Sequence, residues 1–173
     1  DQVLVLECGR FAGVWAEMAQ FNGLRVELIE AAPRHAVDPA VLEQRLRDDT
    51  AHEIKAVLTV QTDTASSVRN DVPALRRAID AAGHPALFMV DCIASLSCEE
   101  FRMDDWGVDV TIAASQKGLM MPPGLGFVWA GPKALAAHAT ADLRTRYFDW
   151  TWRDENGPIY LRFCGTPPVA HLY

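Results

Sequence analysis

The most constraining feature of the chain is a recurrence of short apolar runs rich in Val, Ile and Leu, separated by segments of helical periodicity. The runs cover residues 3–6, 25–29, 56–60, 86–90, 110–113 and 126–129. Residues 12–22, 39–48 and 72–82 read as helices between them, and Asp38 with Pro39 makes a helix start of N-cap followed by first-turn proline. Gly23 and Gly83 supply helix ends. Strands with little polar alternation are strands covered on both faces, so the pattern predicts an α/β fold with a mostly parallel sheet and helices on both sides.

At 173 residues and 50% hydrophobic, the chain can bury one sizeable core, and no repeat or low-complexity linker divides it. Beyond Lys133 the alternation fades into an aromatic stretch, Tyr147-Phe148-Asp149-Trp150-Thr151-Trp152, and then the turn signal Asn156-Gly157-Pro158. Opening in a strand and stopping at Tyr173 without a closing element suggests a piece of a larger protein.

A formal net charge of −7 with no Lys/Arg-rich run argues against a nucleic-acid partner, which would need clustered cations. No apolar stretch approaches the roughly 20 residues of a spanning helix, so no membrane is expected as a partner. Without a signal region, the chain reads as cytoplasmic. Cys8, Cys92, Cys98 and Cys164 form no CxxC pair and the five histidines are dispersed; free thiols and no metal site are expected.

In open α/β sheets, ligands bind outside the carboxyl ends of the strands. Three apolar runs lead into polar residues there: Asp91 after 86–90, Ser115-Gln116-Lys117 after 110–114, and Gln61-Thr62-Asp63-Thr64 after 57–60. Asp91 and Lys117 have the residue types of a simple salt bridge. They are also the types a pyridoxal cofactor requires, a lysine to hold the aldehyde and a carboxylate beside the pyridine nitrogen. Lys117 is followed by Gly118, by apolar Leu119, Met120 and Met121, and by the turn Pro122-Pro123-Gly124. A lysine desolvated in such surroundings becomes a usable nucleophile toward an aldehyde. Gln116, Thr64, Ser66 and the backbone amides around Gly9 are candidate phosphate donors.

Three segments together resemble class V aminotransferases, the serine–glyoxylate group in particular. They are Val90-Asp91-Cys92-Ile93-Ala94-Ser95-Leu96, then 101–109, then Ser115-Gln116-Lys117-Gly118-Leu119-Met120-Met121-Pro122-Pro123-Gly124. The resemblance implies the large domain of a fold-type-I transferase dependent on pyridoxal 5'-phosphate (PLP), of which residues 1–173 are the central part. An N-terminal segment and a C-terminal small domain, with the arginine that grips the substrate carboxylate, would lie outside the chain. It implies transfer of an amino group from a small amino acid, serine or aspartate, to glyoxylate, a 2-oxo acid, by a homodimer or higher oligomer.

By the same resemblance Lys117 holds PLP as a Schiff base and moves a proton, and Asp91 pairs with the pyridinium nitrogen. Phe11 and Ile93 pack on the two ring faces. Gln116 and Thr64 bind phosphate or ring hydroxyl, and Thr166 in Gly165-Thr166-Pro167-Pro168 reaches the phosphate of the neighbouring subunit. The chain departs from the group at Gln61-Thr62-Asp63-Thr64, where a His-Asn-Glu-Thr type start is usual, and at Ser67, where glycine is usual. Phe163 stands where alanine–glyoxylate enzymes have a tyrosine. Two other readings stay open: a cysteine desulfurase or other PLP lyase, which typically has histidine where Gln116 stands, and a noncatalytic phosphate- or nucleotide-binding module. The latter lacks GxGxxG and GxxxxGK[ST] turns.

Overall fold

The computed structural model describes residues 1–141, 149–150 and, as backbone, 161–163. The described chain runs β1 (Gln2–Glu7), α1 (Arg10–Phe21), β2 (Arg25–Glu30), α2 (Pro39–Asp48), β3 (Ile54–Val60), α3 (Val72–Ala82), β4 (Leu87–Asp91), β5 (Val110–Ala114), β6 (Gly126–Ala130), α4 (Pro132–Ala139) and β7 (Leu161–Phe163). One sheet has the strand order β2-β1-β3-β4-β5-β6-β7. The first five strands pair with one another in parallel; β6 runs antiparallel to β5 and parallel to β7. The antiparallel step follows from the connection: residues 115–125 contain no helix and are too short for the crossover of a dozen or more residues that a parallel pair needs.

Helices cover both faces, as the strand composition predicts. On one face Leu42 and Leu46 of α2 and Val72, Leu75 and Ile79 of α3 pack with Leu4, Leu6, Val57, Phe88 and Val90. On the other, α1 presents Ala12, Ala16 and Ala19 to Val3, Val5, Ala56, Leu58 and Val60. These small residues recur at helical spacing, so α1 lies close against β1 and β3. Ala134 of α4 joins Val110 and Ala130, beside Leu87 and Met89, which also border the α1 cluster. Each fully buried Leu or Phe stabilises the fold by about 1.5–3 kcal/mol through lost water contact.

The helix ends follow local chemistry. Asp38 and Asp71 accept the N–H groups of Ala40 and Ala74, both at 2.9 Å, and Gly83 ends α3 in the left-handed conformation at φ 63°. Helix α1 differs: its N-cap is Gly9, which has no side chain to offer.

Two buried polar groups knit the amino edge of the sheet. The Ala86 N–H donates to His84 Nδ1 at 3.2 Å, which leaves the proton on Nε2 to be donated to Asp49 Oδ2 at 3.1 Å. Asp49 also accepts from the Glu53 and Ile54 amides, at 3.1 and 2.8 Å. Burial pushes the Asp49 carboxyl up, but these amides and His84 outweigh it and hold it below its ordinary 3.8. Burial likewise holds His84 below its ordinary 6.5 against the pull of Asp49. Both groups therefore bind fewer protons folded than unfolded on acidification, so their stabilisation is present above those ordinary values and is lost as pH falls. Urea midpoints of the full-length protein should decline as pH drops through 6.5, and again below 3.8, with the first decline shallower in His84→Gln. Midpoints that rise on acidification would contradict this.

Candidate active site

Strands β1, β3, β4 and β5 end at the same edge, and β1 lies between β2 and β3, so the chain leaves it in one direction and returns in the other. The crevice outside β1 and β3 is thus a topological switch point, where open α/β sheets bind ligands. Four groups of side chains converge here: those after β1, the 61–68 turn after β3, Asp91 at the end of β4, and the loop after β5.

Lys117 sits in that last loop, whose shape is set by Ser115. The fully buried Ser115 hydroxyl donates to the Pro122 carbonyl at 2.7 Å and accepts the Leu125 N–H at 3.4 Å. Its main chain accepts from Met121 and donates to Leu125. Gly118 lets the loop lie on the 93–98 segment: a Cβ there would stand 1.9 Å from the Leu96 carbonyl oxygen and 2.8 Å from Cys98 Sγ. Held this way, Lys117 Nζ donates to Thr64 Oγ1 at 2.9 Å and lies 5.5 Å from the centroid of the Phe11 ring. The turn after β3 and the first turn of α1 thus meet at one amine. Phe11 is 42% exposed, a large apolar ring left at the surface of the crevice.

Asp91 is buried, and its Oδ1 accepts the Ile93 N–H at 2.7 Å, which fixes Ile93 two residues on. Burial pushes the Asp91 carboxyl up, more than the Ile93 amide and the charge of Lys117 draw it down. A desolvated carboxylate of this kind is stabilised by any cation that reaches it. Gln116 and Thr64 are exposed and Ile93 is half-buried. Thr166 lies outside the described residues, as do Cys164 and the side chain of Phe163.

Several residues that organise this edge had no role assigned from the sequence, although Gln61 and Asp63 stand in one of the polar stretches that follow a strand. Asp63 is fully buried: Oδ2 accepts from Phe11 N at 2.7 Å, and Oδ1 accepts from Ala65 N at 2.8 Å and Ser66 N at 3.0 Å. Gly9 makes room for it, since a Cβ at Gly9 would stand 2.5 Å from Asp63 Cγ. The turn closes through Asp63 N to Val68 O and Ser67 N to Asp63 O, with Ser67 left-handed at φ 59°, a conformation that suits glycine better. Asn70, also buried, donates to the Val60 carbonyl at 2.9 Å and accepts the Val37 N–H at 3.0 Å. Buried Gln61 accepts from Ser95 Oγ at 2.6 Å and donates to the Glu100 carbonyl at 2.9 Å. The legible signal for Asp63 was an acid followed by small hydroxyl residues, the composition of a side-chain-capped turn.

A family model described as aminotransferase class-V matches residues 1–173. The chain belongs to the class V aminotransferase family. Among curated class V relatives, a serine–glyoxylate aminotransferase of Methylorubrum extorquens is 43% identical over 178 aligned residues, covering 100% of this chain and 44% of that protein. An L-aspartate–glyoxylate aminotransferase of Paracoccus denitrificans is 43% identical, covering 98% of this chain and 43% of its own. The chain therefore spans less than half the length of these relatives. Among solved structures, a ureidoglycine–glyoxylate aminotransferase from Bacillus subtilis superposes with a TM-score of 0.77 at 25% identity, over 87% of this chain and 38% of that one. The fold is that of the PLP-dependent class V aminotransferases, a fold-type-I architecture.

The contact of Gly118 with the Leu96 carbonyl gives a direct test of how the lysine loop is held. Gly118→Ala must displace one loop or the other, at a cost of about 1–3 kcal/mol for an overpacked site. Lower denaturant stability together with poorer PLP retention by the full-length enzyme is the expected result. Unchanged values for both would show that the two loops do not meet as described.

Proposed function

We propose that this chain is the central part of the PLP-binding large domain of a longer enzyme, which transfers an amino group from serine or aspartate to glyoxylate. The carrying observation is the meeting of Lys117 Nζ with Thr64 Oγ1 and the Phe11 ring at the strand edge that also holds the buried Asp91. The names of the Methylorubrum and Paracoccus relatives support the choice of amino donor and acceptor.

The residues present fit the cofactor. Asp91 offers a desolvated carboxylate suited to a protonated ring nitrogen, and Lys117 an amine to hold the aldehyde. Phe11 and Ile93 supply apolar surface for the ring; Thr64 and Gln116 supply donors for phosphate or ring hydroxyl. Gly9 contributes by its missing side chain, which admits the Asp63 carboxylate. When bound, PLP supplies the electron withdrawal that makes the substrate Cα–H acidic. Lys117 is the group positioned to take up that proton and return it, and the loop bonds of Ser115 and the close approach of Gly118 to Leu96 keep its reach short. Asp91 would hold the proton of the ring nitrogen and so keep that nitrogen charged.

The working enzyme is a homodimer or higher oligomer, with Thr166 reaching the phosphate of the neighbouring subunit, and acts in the cytoplasm. Cys8, Cys92 and the exposed Cys98 are free thiols, in keeping with a reducing compartment. No helix among the described residues is long and apolar enough to cross a membrane.

Two of the chain's three lysines lie at the opposite edge of the sheet: Lys55 donates to the His52 carbonyl and Lys133 to the Ala86 carbonyl, each at 2.7 Å. Borohydride reduction of the full-length holoenzyme followed by peptide mapping should therefore place the pyridoxyl label on Lys117. A label on Lys55, on Lys133 or on a lysine outside this chain would sink the assignment.

A further inference from the structure

We propose that Asp63 is a positioning residue for the cofactor lysine, its carboxylate placing Thr64 and Phe11 together and through them the Lys117 amine. This deepens the reading above and rests on it.

The two oxygens of Asp63 do different work. Oδ1 accepts the Ala65 and Ser66 amides and so shapes the turn that carries Thr64, while Oδ2 reaches across 52 residues of sequence to the Phe11 amide. Phe11 is the second residue of α1, whose Gly9 N-cap makes no side-chain bond. A carboxylate from the turn after β3 therefore serves as the cap that the helix's own N-cap residue lacks, at the end where the helix dipole favours negative charge. The same two residues, Thr64 and Phe11, are those that meet Lys117 Nζ, at 2.9 Å and 5.5 Å.

Nothing else about Asp63 accounts for its burial. Among the described residues no Lys, Arg or His forms an ion pair with it, and its carboxylate is satisfied by main-chain amides alone. Gly9 is shaped to admit it: a Cβ there would overlap Asp63 Cγ and Oδ1, both at 2.5 Å, and would come within 2.7 Å of Ser66 Oγ. Ser67 completes the turn at a positive φ of 59°. A cap alone would need one oxygen and a tight turn alone would need the other; one buried carboxylate joining both ties the spacing of Thr64 and Phe11 to a single rigid group.

The test is Asp63→Asn in the full-length enzyme, which keeps the volume but turns one acceptor into a donor. That donor must face either the Phe11 amide or the Ala65 and Ser66 amides, so one of the two links is lost. The expected results are a PLP dissociation constant raised about tenfold, equivalent to about 1.4 kcal/mol, and a weakened visible circular dichroism band of the bound cofactor. The affinity loss should shrink when the substitution is made in a Thr64→Val, Phe11→Leu background, because the groups that Asp63 places are then already gone. Gly9→Ala, which pushes the carboxylate aside without changing its chemistry, should reproduce both changes and serves where Asp63→Asn does not fold. Wild-type affinity and dichroism in either folded variant, or an undiminished affinity loss in the double background, overturns the proposal. A borohydride label found away from Lys117 overturns the functional reading instead, so the two failures are distinguishable.

Discussion

Parallel pairing of β1, β3, β4 and β5 is the constraint from which the site follows. Strands covered on both faces must satisfy their amides within the sheet, because water cannot. The register that does this sets Val60 beside Asp91 and Asp91 beside Ile112, and it continues past the strands as Gln61 N to Asp91 O and Cys92 N to Ile112 O. The ladder thus brings the ends of four strands to one level. Polar residues emerge there together, from segments as far apart in the chain as Phe11 and Lys117.

A level edge alone does not give a site, since the loops beyond it have to be held without regular structure. That is done by buried polar side chains: Asp63, Gln61, Asn70 and Ser115 bond to main chain, and Ser95 donates to the Gln61 side chain, each joining segments that the strands leave loose. Unmade, each such bond would leave a buried polar group costing about 1–3 kcal/mol, so a loop that departs from this arrangement loses several bonds at once. The groups that meet the Lys117 amine, Thr64 and the Phe11 ring, remain exposed. Rigidity and access are thereby assigned to different residues, which is what a site that must hold a ligand in a fixed orientation needs.

The regular elements were legible because their signal is local. Apolar runs and helical spacing place five parallel strands and three helices to within two residues or so at most ends, and Pro39 and Gly83 mark termini that the structure keeps. Helix α4 escaped because its alanine-rich sequence, with only Ala134 fully buried, has no broad apolar stripe. The Lys117 and Asp91 candidates rest on residue type, on their place after strands, and on family resemblance. Their surroundings were less visible: Thr64 is 53 residues from Lys117, Asp63 is 52 from Phe11, and Asn70 is 33 from Val37. No periodicity encodes a bond between a side chain and a distant amide, so the parts played by Asp63 and Asn70 surface only once the strands have been laid side by side.

The central claim, that the shared carboxyl edge is a PLP site built on Lys117 and Asp91, is tested most directly by the crystal structure of the full-length enzyme grown with PLP. Continuous density from Lys117 Nζ into the cofactor, with the ring nitrogen at hydrogen-bonding distance from the Asp91 carboxylate, is the result this account predicts. Cofactor density joined to a different lysine, or a ring nitrogen turned away from Asp91, would contradict it.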